Sequence, residues 1–540
     1  MMRTRSTVGA IVALAAVLVL TSCASSGTGS SSTPDASDEP VDGGDLTFAV
    51  ANDPISLNPS GFGSGNDTWY VTRQLVDSLL YQNPETNELE PWLAESYTVN
   101  DDATVFSFDL RDDVTFSDGT PLTAASVKST FDDIVAAGAL SASIGSFVGY
   151  AETVAVDDDT VEVHFSKPNA AFPQATSTVG LGIVGAATLE TPYADRADGQ
   201  AVVGTGPFTL DSYTKDVSTV LDKRDDYAWA PASRGNDGGA HLDSVTFQIV
   251  PEASVRTGGL SSDQFDVIGG VQPNDVPVVE GSGLPLVYRA NPGISFGLTF
   301  NVARPIVADP AVREAIASAI DAQEVRDTAL NDLFNVGTSA LAKSTPSYAD
   351  QSSSFGFDAE KAGKLLDEAG WKKGADGIRE KDGEPLSLEV LWVTNFGPNQ
   401  TSLELIQQQL KKVGIDIQLS GTAVPDFIAK QDSGEWDLAW GNLSRADGDV
   451  LRTQFSQATT KTHIDDPELE ALLQAQLAEP DPAKRDQILA EAQARIASQH
   501  YQIPVHELTS ILGTQQDVHG VTLGADSRLD SLVGAWKAGQ

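Results

Sequence analysis

Cysteine is nearly absent. Cys23 is the only one in 540 residues, so no intramolecular disulfide can brace the fold. Histidine is scarce, with six residues and no His-Glu-x-x-His pair. His500 and His506 stand six apart across Pro504, a poor spacing for one helical face, and read as partly exposed side chains near a helix end rather than metal ligands. Positive charge is also short, 34 Lys and Arg against 76 Asp and Glu, for a net −42. Such a surface repels phosphates and anionic headgroups, which excludes nucleic acid as a partner. Long apolar runs are missing after the first residues, so no later segment reads as a membrane span. There is no Gly-x-Ser-x-Gly elbow, and Gly61-Phe62-Gly63-Ser64-Gly65 lacks the strand, Gly-Lys and helix of a phosphate loop. Nothing pairs a nucleophile with a base. No cofactor motif appears, and the chain is expected not to be an enzyme.

What is present begins with Arg3 and Arg5, followed by the apolar run Val8 to Leu20, the layout of a secretory signal. It ends in Leu20-Thr21-Ser22-Cys23, which resembles a bacterial lipobox, with cleavage before the Cys and lipid on its thiol. The position of the sole Cys favours that reading over a chance residue. Removing residues 1–22 deletes two Arg and no acid, so the mature chain carries −44. Residues 23–43 are rich in Ser, Thr, Gly, Asp and Pro and read as a flexible tether. The length beyond it implies more than one domain or lobe.

Strands and helices interleave. Phe106, Phe108 and Leu110 alternate with polar residues, as do Val161, Val163 and Phe165, and Val245, Phe247 and Ile249. Thr123 is placed to cap a helix carrying Val127, Phe131 and Ile134. Asp309-Pro310, Asp358 and Asp481-Pro482 open further helices, and Gly370 and Gly414 close two. The pattern is α/β, or mixed α+β, with helix–turn–strand units concentrated after residue 300. Asp157-Asp158-Asp159 reads as a solvated turn. Asp447-Gly448-Asp449 suggests a calcium loop only faintly, because the longer acidic ligand pattern is missing.

Five segments, in order, carry a resemblance. Pro91 to Ile134 ("PWLAESYTVNDDATVFSFDLRDDVTFSDGTPLTAASVKSTFDDI") is similar to the signature region of the family 5 extracellular solute-binding proteins, the dipeptide, oligopeptide and nickel receptors of ABC importers. "VGTGPFTL" (Val203 to Leu210), "FNVARPIVADPAVREAIASAID" (Phe300 to Asp321), "FDAEKAGKLLDEAGW" and "LIQQQLKKVGIDIQL" resemble its later parts. The resemblance implies a two-lobed, type II periplasmic-binding-protein clamp with a small domain inserted in lobe I. Lobe I would comprise residues 44–81, 201–291 and 505–540, the insert 82–200, and lobe II 292–504. Crossovers near Pro292–Phe300 and Gln502–Val505 would form the hinge.

The resemblance also places a cleft. Phe62, Asn66, Asp67 and Trp69 would face it from lobe I, with ordinary loop packing as the alternative. Trp392, Asn395, Phe396, Trp440, Gly441 and Asn442 would face it from lobe II, whereas Trp436 reads as core. In peptide receptors of the family, the stretch after this Trp pairs with the ligand backbone, and an Asp holds the α-ammonium. Here the stretch reads Leu443, Ser444, Arg445, with Asp447 arriving late. The Arg that holds a dipeptide carboxylate is replaced by Gln400-Thr401-Ser402. Arg445 offers a planar fork to an anion, or else pairs with Asp447 or Asp449. The implied function is a monomeric, lipid-tethered receptor at the outer face of the cell membrane. It would pass a small solute, peptide or peptide-like, to an ABC permease with its ATPase partners. An opine-like, oligosaccharide or metal-chelate solute fits the same frame. A secreted hydrolase, or a sensing or adhesion lipoprotein, is the alternative.

Overall fold

A computed structural model describes residues 39–539 apart from 64–65, 235–237 and 458–460. The signal segment, Cys23 and most of the tether lie outside the described residues.

Two mixed sheets form the frame. The first has the strand order Leu286–Ala290, Thr509–Thr514, Val267–Ile268, Asp45–Val50, Ser244–Ile249, Ser218–Lys223, Phe208–Thr214. Asp45–Val50 lies parallel to both of its neighbours, and the other pairs are antiparallel. Leu46, Phe48 and Val50 put their side chains on one face with Val245 and Phe247, and that face is a buried core. The second sheet runs Asp416–Thr422, Ser387–Val393, Leu438–Ser444, Gly293–Phe300, Gln502–His506. Its core gathers Leu298, Phe300, Leu388, Val390 and Leu438 with the inner faces of helices Pro310–Ala319, Ala359–Glu368 and Pro398–Val413. A third, antiparallel sheet, Ala94–Val99, Val105–Leu110, Thr160–Phe165, Tyr150–Ala155, packs on helix Ala124–Ala137 around Phe106, Phe108, Phe131 and Phe172.

The helix ends follow local chemistry. Asp309, Asp358 and Asp481 each accept a backbone N–H of the first turn through the side chain. Gly414 closes its helix at φ +90°, a conformation that costs other residues more. Thr123 differs from expectation: its hydroxyl meets Ser126 Oγ at 3.2 Å and caps no backbone N–H. The Asp157 carboxylate accepts from the backbone of Asp159 and Thr160, closing an exposed turn.

The chain passes between the two large sheets at narrower places than expected. Gly293–Phe300 and Gln502–His506 are paired strands of the second sheet. The links between the two sheets are therefore Asn291-Pro292 and Glu507-Leu508, and the strand paired in the second sheet runs through His506. The reason is burial: every residue of Gln502–His506 is buried, so the apolar run stays in the sheet past Pro504. His506 is accordingly not a partly exposed helix-end residue. It is 0% exposed, with its ring stacked on Phe296 at 4.9 Å.

Candidate ligand-binding site

Between the two large sheets lies a cavity of about 420 Å³. Phe62, Asn66, Asp67 and Trp69 line it from the first lobe; Asn395, Phe396, Asn442 and Ser444 line it from the second. Phe396 stacks on Phe296, rings 5.9 Å apart and 20° from parallel, and Phe296 in turn rests on His506. The aromatic wall is thus backed by the last residue of the strand Gln502–His506, next to the second connection. Asn66 Nδ2 donates to Ser510 Oγ at 3.0 Å, which ties the first-lobe loop to the returning strand. Ser444 Oγ accepts from Asn291 Nδ2 at 3.2 Å at the other connection.

The charged groups on this wall are already engaged. Asp67 accepts from the backbone N–H of Ala51 and Asn52 and from Asn52 Nδ2, all at 3.0–3.1 Å. Burial raises its pKa above the ordinary carboxylate range, and those contacts offset the rise only in part. Arg256 donates to the carbonyls of Val250, Pro251, Gly269 and Gly270. Arg528 pairs with Asp526 at 3.0 Å and lies 5.4 Å above the Trp69 ring. What faces the cavity is aromatic surface with neutral amide and hydroxyl groups.

Other expected residues are placed differently. Trp440 is 1% exposed; its Nε1 donates to Asn399 Oδ1 at 2.9 Å, and its ring packs in the second-lobe core. It shares a strand face with Asn442 and Ser444, but its ring packs against that of Phe296, centroids 5.7 Å apart, and Phe296 rather than Trp440 lines the cavity. Trp392 is likewise in the core, against the bare backbone of Gly421. Trp436, by contrast, is in the core as expected, beside Leu391 and Ala439. Gly441 is partly exposed but is not among the cavity-lining residues. Asp447 is held by Arg485 through both oxygens, at 2.8 and 2.6 Å, and that guanidinium keeps its carboxyl below the ordinary range despite burial. Among the described residues no group of three or more His, Cys, Asp or Glu is arranged to hold a metal ion.

Arg445 lines a second, smaller chamber of about 230 Å³. The backbone puts it there: Gly293 (φ +108°) lies where a Cβ would strike the Leu443 carbonyl, and Pro292 accepts from the Arg445 N–H at 3.2 Å. Sequence reasoning missed Phe296, Gln272, Ser510 and Arg528 in the walls. Phe296 reads as core by alternation, and the other three come from segments remote in sequence, so only the topology brings them in.

Two lobes joined by two short connections, with a cavity walled from both, define an extracytoplasmic binding-protein clamp. The model of the bacterial extracellular solute-binding proteins, family 5 Middle, matches residues 88–466, and the chain belongs to that family. It is a solute-binding protein that captures its ligand and delivers it to an ABC importer. Similar proteins include the probable D,D-dipeptide-binding periplasmic protein DdpA of Escherichia coli K12, 26% identical over 88% of this chain and 90% of its own. The nickel-binding periplasmic protein of the same strain is 25% identical over 73% and 77%. Among solved structures, AgaA of A. tumefaciens R10 in complex with agropinic acid superposes with a TM-score of 0.77 at 25% identity, over 92% of this chain and 99% of that one.

Proposed function

We propose that the chain takes up a small organic solute, peptide or peptide-like, in the cavity between the lobes. The observation that carries this is the composition of the wall: aromatic rings, amides and hydroxyls from both lobes, with its carboxylate and guanidiniums already bonded. Such a wall binds by shape, stacking and hydrogen bonding and offers no nucleophile–base pair, which supports a receptor and not a hydrolase. Similar proteins are named for D,D-dipeptide, nickel and agropinic acid, and the organic members of that set suit this wall better than a bare cation. A lipid on Cys23 would hold the receptor beside its permease at the outer face of the membrane. The chain would work there as a monomer.

The test is the solute that co-purifies from the native host, identified by mass spectrometry and then titrated into protein emptied by unfolding and refolding. Phe396→Ala should weaken its binding by more than about 1 kcal/mol, as truncation of a buried aromatic contact does. Full affinity in that variant, or an emptied protein that takes back none of the solute, would remove this cavity as the site.

A further inference from the structure

The smaller chamber is walled by all three parts of the molecule. The inserted domain supplies Ser143, Ser146 and Asn169, the second lobe Ser444 and Arg445, and the C-terminal segment Arg528. It adjoins the larger cavity, since Trp69, Leu443, Ser444 and Arg528 border both. A solute that spans the two would pass these side chains.

Charge pairing around this chamber leaves one guanidinium loosely partnered. Asp447 is taken by Arg485. Asp449 is taken by Arg452 through both oxygens at 2.7 Å, and also accepts from Gln476 Nε2 at 2.7 Å. Asp526 is taken by Arg528. Arg445 is the arginine of this wall with no carboxylate of its own at hydrogen-bonding distance. Its nearest carboxylate oxygen, Asp449 Oδ2, is 3.7 Å away and already bound to Arg452. Its closer contact is the neutral Thr453 hydroxyl at 3.2 Å. In a chain of net charge −42, a guanidinium on a cavity wall with no close carboxylate runs against the composition. With its side chain 31% exposed, it keeps donors available to a planar acceptor. The larger cavity, by contrast, presents no carboxylate with open oxygens among its described wall residues.

We propose that the solute ends in a carboxylate and carries no ammonium group, and that the carboxylate sits against Arg445 in the smaller chamber. This rests on the receptor reading of the larger cavity. A free, zwitterionic peptide does not meet this description. An N-acylated peptide acid and a sugar acid both do, and they share the chemistry the site selects.

The experiment is a calorimetric titration of wild type, Arg445→Gln and Arg445→Lys. The probes are N-acetylated tripeptide acids, their C-terminal amides, the matching free tripeptides, and cellobionate with cellobiose. An acid should bind wild type at least about tenfold better than its amide or neutral counterpart, and better than its free-amine form. Arg445→Gln should weaken the acid by roughly ten- to a hundredfold, the range for hydrogen bonds to charged groups, and leave the neutral probe unchanged. Arg445→Lys should recover part of the loss. The peptide and sugar arms distinguish the two sources. Equal binding of acid and neutral partner would overturn the proposal, as would preference for the free peptide, no binding by any acid, or a lower melting temperature of Arg445→Gln with affinity intact. If the neutral probes bind and depend on Phe396, the receptor reading survives that failure; if no probe of any charge depends on Phe396, the receptor reading fails too.

Discussion

Asp447 and Arg445 stand two residues apart and serve different ends. The carboxylate is buried and held in a two-pronged pair by Arg485, which also donates to Gln476 Oε1 at 2.8–3.0 Å. Arg485 is 38 residues away in sequence, and Gln476 is 27 from the Asp449 it also binds. That distance is why the stretch Trp440 to Phe455 was ambiguous to read. Local sequence shows that cations and anions are adjacent, but not which of them a remote helix claims. The same holds for Trp440, whose partner Asn399 belongs to another helix. Removing one member of a buried pair leaves the other uncompensated and costs on the order of 3–5 kcal/mol. Asp447→Asn should therefore lower unfolding stability by about that much in urea. It should change affinity for the co-purified solute far less than Arg445→Gln does. A variant as stable as wild type would show that Arg485 does not depend on this partner.

At the level of strands and helices, the sequence was legible where a residue's role is decided within a few neighbours. The Asp caps, the Gly414 stop and the alternating strands of the inserted sheet are of that kind. The two lobe connections were not, because Gln502–His506 reads as a chain exit and only its pairing with Gly293–Phe300 shows it to be a strand. His506 closes that strand between the aromatic wall and the second connection. Its Nε2 is buried without a hydrogen-bond partner among the described residues, and burial lowers its pKa from 6.5 to about 4. The folded protein thus keeps the ring neutral, while the unfolded chain takes up a proton below about pH 6.5. Stability from this group is fully present above that value and is lost as the pH falls from about 6.5 towards 4. By 1.36 kcal/mol per unit the loss is on the order of 3 kcal/mol. His506→Phe removes the titration and keeps a flat ring against Phe296. The wild type should lose stability relative to this variant across that window, as measured by urea unfolding at several pH values. Parallel curves for the two proteins would mean that His506 does not titrate as its burial requires.

For the whole molecule the governing fact is charge. A chain of net charge −42, or −44 if residues 1–22 are removed, is pushed away from anionic headgroups, so electrostatic attraction does not favour holding this protein at a membrane. No helix among the described residues is long and apolar enough to cross one. On the proposed reading a covalent anchor on Cys23 would supply retention beside the permease, and because a single acyl chain gives only marginal binding, more than one would be needed. Cys23 is the sole thiol available to carry it, at the end of the apolar run and ahead of a polar tether. The wild-type protein should sediment with membranes, resist washing with high salt and come away in detergent, with an intact mass that exceeds the polypeptide from Cys23 by its acyl groups. Cys23→Ser should appear in the medium or accumulate with residues 1–22 still attached. Its solute affinity should be unchanged, because the clamp begins beyond the tether. A Cys23→Ser protein that is processed normally and stays with the membrane would mean that something other than a lipid on this residue holds the receptor in place.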